Sequence, residues 1–196
     1  MSVVLVDAGG TNIGSVRYAL QRLGVDAALT ADAAAIRAAD KVILPGVGAA
    51  GPGMARLREL GLVDLLRSLT QPVLGVCLGM QLLCAHSEEG DTACLGLIPA
   101  PVRRFTGAPG LRVPHMGWNR VTAQREHPLL AGLGDDEQAY FVHSYAVPTG
   151  DWTLASSDYG EPFSAVIARG NFLGMQFHPE RSATVGAGLL KNFLDS

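Results

Sequence analysis

Apolar residues in this chain fall into short blocks that stop abruptly at polar or glycine-rich stretches. Val3–Val6 is a four-residue apolar run closed by Asp7-Ala-Gly-Gly-Thr-Asn12, after which Ile13, Val16, Leu20 and Leu23 recur at helical spacing. This predicts strand, turn and helix, with Asn12 as N-cap and Gly24 as the stop. Residues 25–30 read as a second strand, 32–39 as a short helix and Lys41–Leu44 as a third strand. A loop rich in glycine spans 45–53, and a helix over 54–69, interrupted at Gly61, leads to a fourth strand at 72–76 and a buried helix at 78–85. From residue 95 the pattern changes to short strand candidates at 97–105, 112–121, 140–147, 152–156 and 163–169, with Asp158-Tyr-Gly160 and Gly170-Asn171 as turns. Residues 172–177 return as a buried strand, and 183–194 close as a helix.

The alternation of strand and helix predicts an α/β fold: a central, mostly parallel sheet flanked by helices, with antiparallel strands added on one side by the C-terminal half. Neither repeat nor linker is visible, so residues 1–196 are expected to form one domain. A chain of this length buries roughly 70% of its unfolded surface, enough for a core without staples.

Composition narrows the function. With 48% hydrophobic and 17% charged residues the chain is not disordered, and a net charge of −3 without basic runs argues against nucleic acid as a partner. The opening is a strand rather than a signal peptide, and no apolar run is long enough to span a membrane, which gives a cytoplasmic expectation. Three cysteines, Cys77, Cys84 and Cys94, with no C-x-x-C indicate neither a disulfide framework nor a zinc site. Cys84 reads as core packing.

Cys77 stands apart, because Gly75-Val-Cys-Leu-Gly79 has the form G-x-C-x-G between a buried strand and a buried helix. That is a cysteine version of the nucleophile elbow, in which a tight turn lifts the nucleophile above the sheet edge. In isolation the motif is equally a core strand followed by a core helix. A cysteine nucleophile also needs a base and a group to orient that base. His86, His115 and His127 lie in loops or at element ends with no more than chance acidic neighbours two residues away, whereas Gln176-Phe-His-Pro-Glu180 sets Glu180 two residues beyond His178 and has Pro179 hold His178 extended. The competing reading is a histidine that merely ends a strand. Candidate oxyanion donors are the Leu78 N–H and the Val47-Gly48 part of the glycine loop, which could equally be a flexible connection. Asp7-Ala-Gly-Gly-Thr11 looks like a phosphate loop of actin-like ATPases and sugar kinases. It lacks a P-loop lysine and further such loops, and is read as an ordinary turn.

Gly75-Val-Cys-Leu-Gly-Met-Gln81 and Phe177-His-Pro-Glu180 resemble the class I glutamine amidotransferases. Leu44-Pro-Gly-Val-Gly48, Pro114-His-Met-Gly-Trp-Asn119, Tyr140-Phe-Val-His-Ser-Tyr145 and residues 174–182 are similar to the glutaminase subunits of imidazole glycerol phosphate synthases, over nearly the whole chain. The resemblance implies hydrolysis of glutamine through a thioester on Cys77, with His178 as base then acid and Glu180 orienting it. It also implies that Gln81, Ser144 and Tyr145 hold the substrate's amino-acid end, and that Val47 belongs to a mobile oxyanion strand. Ammonia would pass to a cyclase subunit with a (β/α)8 barrel fold, forming a heterodimer through Arg181, Asn12 and Trp118, and no metal or organic cofactor is implied. Ala8, Gly10 and Thr11 depart from the family's Asp-Tyr-Gly-x-Gly-Asn turn, and Arg181 stands where the family carries lysine. Alternative readings are the glutaminase of another ammonia-dependent synthase, such as anthranilate or pyridoxal phosphate synthesis, and an idle scaffold of the same fold.

Overall fold

Strand β1 (Val3–Val6) shows how the sheet is covered. Val3 and Leu5 enter one apolar core while Val4 and Val6 enter another, as side-chain alternation requires of a strand buried on both faces. The computed structural model describes residues 1–9 and 13–196, so the Asn12 cap and interface expectations and most of the altered turn lie outside the described residues.

Helix α1 (Ile13–Arg22) buries Ile13, Val16, Ala19 and Leu20 against the first core. It gives way to Gly24 at φ 82°, a left-handed stop. Strands β2 (Ala28–Thr30) and β3 (Lys41–Leu44) flank β1 in parallel, joined by α2 (Ala33–Ala38), whose cap Asp32 accepts the Ala35 N–H at 2.7 Å. Helices α3 (Ala50–Glu59) and α4 (Leu62–Arg67) break at Gly61, with φ 67°, as expected. Strand β4 (Val73–Val76) then pairs in parallel with β3 and runs directly into α5 (Leu78–Leu83), every residue of which is buried.

The C-terminal half divides among three sheets. Strands β5 (His86–Ser87), β6 (Thr92–Ala93) and β7 (Pro101–Arg104) form a small sheet with β11 (Tyr145–Ala146). Strands β8 (His115–Arg120) and β10 (Gln138–His143) make a separate antiparallel ribbon. The main sheet is completed by β9 (Thr122–Ala123), β12 (Thr153–Asp158), β13 (Pro162–Arg169) and β14 (Phe172–Met175), giving the order β2-β1-β3-β4-β14-β13-β12-β9. Strand β14 is parallel to β4, and β13, β12 and β9 extend that side antiparallel. Helix α6 (Ala183–Asp195) packs Val185, Leu189, Leu190 and Phe193 into the first core.

Three details differ from the pattern-based expectation. The glycine loop is shorter, because α3 begins at Ala50 and takes Gly51 and Gly53 into its first turn. The strand expected over 140–147 breaks at Ser144 and serves two sheets. The hairpin of β5 and β6 and the short β9 are too brief to leave a periodic pattern. None of these changes the arrangement that matters: β3, β4 and β14 are adjacent, and their C-terminal ends carry the glycine loop, Cys77 and His178.

Candidate active site

Cys77 sits between β4 and α5 with φ 53° and ψ −112°, the strained geometry of a nucleophile elbow. Small neighbours make the turn possible. A methyl group on Gly79 would lie 1.8 Å from the Leu44 carbonyl oxygen, and one on Gly75 would lie 2.6 Å from Gly79. The first turn of α5 therefore rests directly on the backbone at the end of β3. The Cys77 side chain is nearly buried, with Sγ 4.0 Å from the Val142 carbonyl and 3.9 Å from the Gln176 side-chain nitrogen.

His178 follows β14 and is held by backbone. Its N–H donates to the Tyr140 carbonyl at 2.9 Å, and its carbonyl accepts the Ser182 hydroxyl, whose oxygen in turn accepts the Tyr140 N–H. The segment after it is a tight turn at Pro179–Arg181 rather than the expected extended run. That turn still brings Glu180 back, with Oε1 3.0 Å from His178 Nδ1 and the carboxylate buried. Burial alone would push the imidazole pKa down. Its hydrogen bond to the Cys77 thiol, its bond to Glu180 and the charges of both outweigh that, so the ring's affinity for a proton is raised, to about 10.

These groups open onto a cavity of about 450 Å³ lined on one side by Val47, Gly48, Cys77, Leu78 and Gln81 and on the other by Val142, His143, Ser144, Tyr145 and His178, with Glu89 and Arg181 at its edge. Nine of the twelve expected site residues line it. Glu180 stands behind His178, beside a small void walled by α1 and the glycine loop. Trp118 lies elsewhere, about half exposed on the ribbon with its ring edge-on to Tyr140. Gly48 adopts φ 99°, a conformation that favours glycine, so the loop presents its backbone to the cavity.

The geometry redefines Gln81. Its amide NH2 gives both protons to protein acceptors, the Tyr145 carbonyl and the Gln176 side-chain oxygen, each at 2.9 Å. Only its Oε1 remains to meet a ligand. Two polar cavity residues escape sequence reasoning. Glu89, whose carboxylate accepts the Ala50 N–H at 2.8 Å, is an anion set beside the α3 N-terminus by a contact spanning thirty-nine residues, which leaves no local signal. His143 is visible only as one position of the Tyr140–Tyr145 motif. Among the described residues no cluster could hold a metal ion, and no helix is long and apolar enough to cross a membrane.

Comparison with known proteins places this geometry. The family model for class-I glutamine amidotransferases matches residues 4–196. The chain belongs to that family. Among similar curated proteins, one of Xanthomonas euvesicatoria pv. vesicatoria is 59% identical over 98% of this chain and 96% of its own length, and one of Xylella fastidiosa strain Temecula1 is 57% identical over the same shares. Both are named imidazole glycerol phosphate synthase subunit HisH. Solved structures share the fold at lower identity. A putative GMP synthase subunit of Thermoplasma acidophilum superimposes with a TM-score of 0.78 at 20% identity, covering 100% of this chain and 92% of its own. A further glutamine amidotransferase gives 0.77 at 22%, covering 100% of this chain and 98% of its own.

Proposed function

We propose that this class-I amidotransferase is the glutamine-hydrolysing subunit of an imidazole glycerol phosphate synthase, with Cys77, His178 and Glu180 as its catalytic triad. The observation that carries the chemistry is a nucleophile elbow whose cysteine shares the wall of a cavity sized for an amino acid with a histidine, itself bonded at 3.0 Å to a buried carboxylate. Full-length identity to proteins named HisH carries the choice of synthase.

His178 takes the Cys77 proton, and the thiolate adds to the side-chain amide carbon of glutamine. Backbone N–H groups of Leu78 and of the Val47-Gly48 segment hold the oxygen that becomes negative. His178 returns its proton to the nitrogen, the C–N bond breaks, and ammonia leaves a γ-glutamyl thioester. Water, deprotonated by His178, then releases glutamate and restores the thiol. Glu180 keeps the imidazole in one tautomer and offsets its charge. At the far end, Glu89 and the Gln81 Oε1 receive the substrate's ammonium, and the Ser144-Tyr145 backbone receives its carboxylate.

The ammonia passes to a cyclase subunit. The β8–β10 ribbon supplies the docking face: Met116 and Trp118 are exposed, and the Arg181 guanidinium lies 4.3 Å above the Tyr140 ring between that face and the cavity. The test is glutamate release from glutamine by this chain mixed with a cyclase subunit and its nucleotide ligand. Release that vanishes in Cys77→Ala supports the assignment, and release that survives the substitution rejects it.

A further inference from the structure

Two buried histidines, one in the cavity wall and one behind it, are not used by the triad. His115 at the start of β8 and His143 at the end of β10 face each other in the ribbon, with His115 Nδ1 3.0 Å from His143 Nε2. His143 Nδ1 lies 2.8 Å from the Tyr145 carbonyl oxygen. A carbonyl only accepts, so His143 carries its proton on Nδ1 and offers Nε2 as acceptor. His115 must then donate from Nδ1, which leaves its Nε2 to accept the Asn119 amide at 3.4 Å. That amide also donates to the Asp158 carbonyl at 2.7 Å, which fixes its own direction. Every proton in the row is thereby assigned, and the row ends on the oxygen that also receives the Gln81 amide.

We infer that His115 and His143 are positioning residues of the glutamine site: they fix the Tyr145 carbonyl, and with it the Gln81 amide, so that Gln81 turns its Oε1 toward the substrate's ammonium. This rests on the glutamine reading of the cavity. The direction matters because a reversed Gln81 would present NH2 to a cation, a repulsive contact, and would also set two carbonyl oxygens against each other. Burial keeps both rings neutral, with His115 near 4 and His143 near 3, so the row holds its direction throughout the neutral range.

Packing alone does not account for the pair. His115 stacks on Tyr159, with centroids 4.0 Å apart, and His143 meets the Phe105 edge at 5.0 Å, so phenylalanine or leucine would fill the same aromatic box. Only the ring nitrogens make the row, and they make it in one direction.

The experiment compares His143→Leu, which removes the donor to Tyr145, with His143→Asn, whose amide nitrogen replaces Nδ1–H. Each is assembled with the cyclase subunit. Labelling of Cys77 by a glutamine-analogue diazoketone is measured beside labelling by iodoacetamide, which has no amino-acid end. The expected result is a loss of about tenfold in diazoketone labelling and a rise of about tenfold in the KM for glutamine in His143→Leu, with iodoacetamide labelling held within about twofold and most of the loss restored in His143→Asn. Equal losses in the two variants, or no loss in His143→Leu, overturn the inference. If His143→Leu does not fold, His115→Leu and His115→Asn form the same contrast one bond further back: a loss restored by asparagine supports the inference, and equal losses or none overturn it. Wild-type protein that the diazoketone does not label at all overturns the glutamine reading itself, and the inference falls with it.

Discussion

Replacing Gly79 by alanine adds one methyl group where the nucleophile elbow meets the glycine loop, and the structure sets the size of the effect. The new Cβ would lie 1.8 Å from the Leu44 carbonyl oxygen and 2.8 Å from its carbonyl carbon. Carbon and oxygen ordinarily approach no closer than about 3.3 Å, so α5 and the end of β3 must separate by roughly 1.5 Å. Both contacts are backbone, which has no rotamer to yield. Overpacking of this kind costs about 1–3 kcal/mol, and for a chain of this length each kcal/mol lowers Tm by about 2–4 °C. Catalysis should suffer more. The displaced segments carry Cys77 and the Val47-Gly48 donors, and a misplacement of about 1 Å is enough to cost about 10²-fold. The assay is glutamate release in the assembled complex beside thermal unfolding followed by circular dichroism. Gly188→Ala is the control, since nothing lies within 4 Å of its added methyl group. In helix α6 that change should stabilise by about 0.5–1 kcal/mol. A Gly79→Ala protein with the wild-type rate and Tm would refute the close-contact argument.

Two further outcomes follow from exposed and buried aromatic positions. Trp118→Ala removes a half-exposed indole from the ribbon and should weaken assembly with the cyclase subunit by about 10–100-fold, with Tm unchanged, measured by calorimetric titration. His115 and His143 have folded-state pKa values below the ordinary 6.5. The unfolded chain therefore binds more protons beneath that value, and the stability they contribute is complete above about pH 6.5 and lost as pH falls toward 4. Each contributes a slope of about 1.4 kcal/mol per pH unit in that window, and His115→Asn should flatten the decline in urea midpoints measured between pH 7 and 5.

The parallel half of the fold was legible because its strands are buried on both faces and read as continuous apolar runs, as Val3–Val6 and Lys41–Leu44 do. Cys77 and His178 were legible for a related reason: each sits where such a run stops at glycine or proline. Elements shaped by distant partners were not. Helix α3 gains its first turn where Glu89 meets the Ala50 N–H, so residues 50–53 look like loop when read locally. The strand over 140–147 breaks because His143 and Tyr145 belong to different sheets, and no local period records a change of sheet. The orientation of Gln81 depends on acceptors more than sixty residues away in sequence. Motif spacing named the residue but not the atom it offers.

A covalent adduct on Cys77 is the immediate consequence of the proposed chemistry, and it can be trapped. Acid-quenching the assembled complex during turnover of glutamine, followed by digestion and mass spectrometry, should find a γ-glutamyl adduct on the peptide bearing Cys77. None should appear on those bearing Cys84 or Cys94, since burial pushes the Cys84 thiol far above its ordinary range and the Cys94 thiol up to about 11. Glutamate released at the full rate with Cys77 unmodified, or with the adduct on either of the other two cysteines, would contradict the assignment.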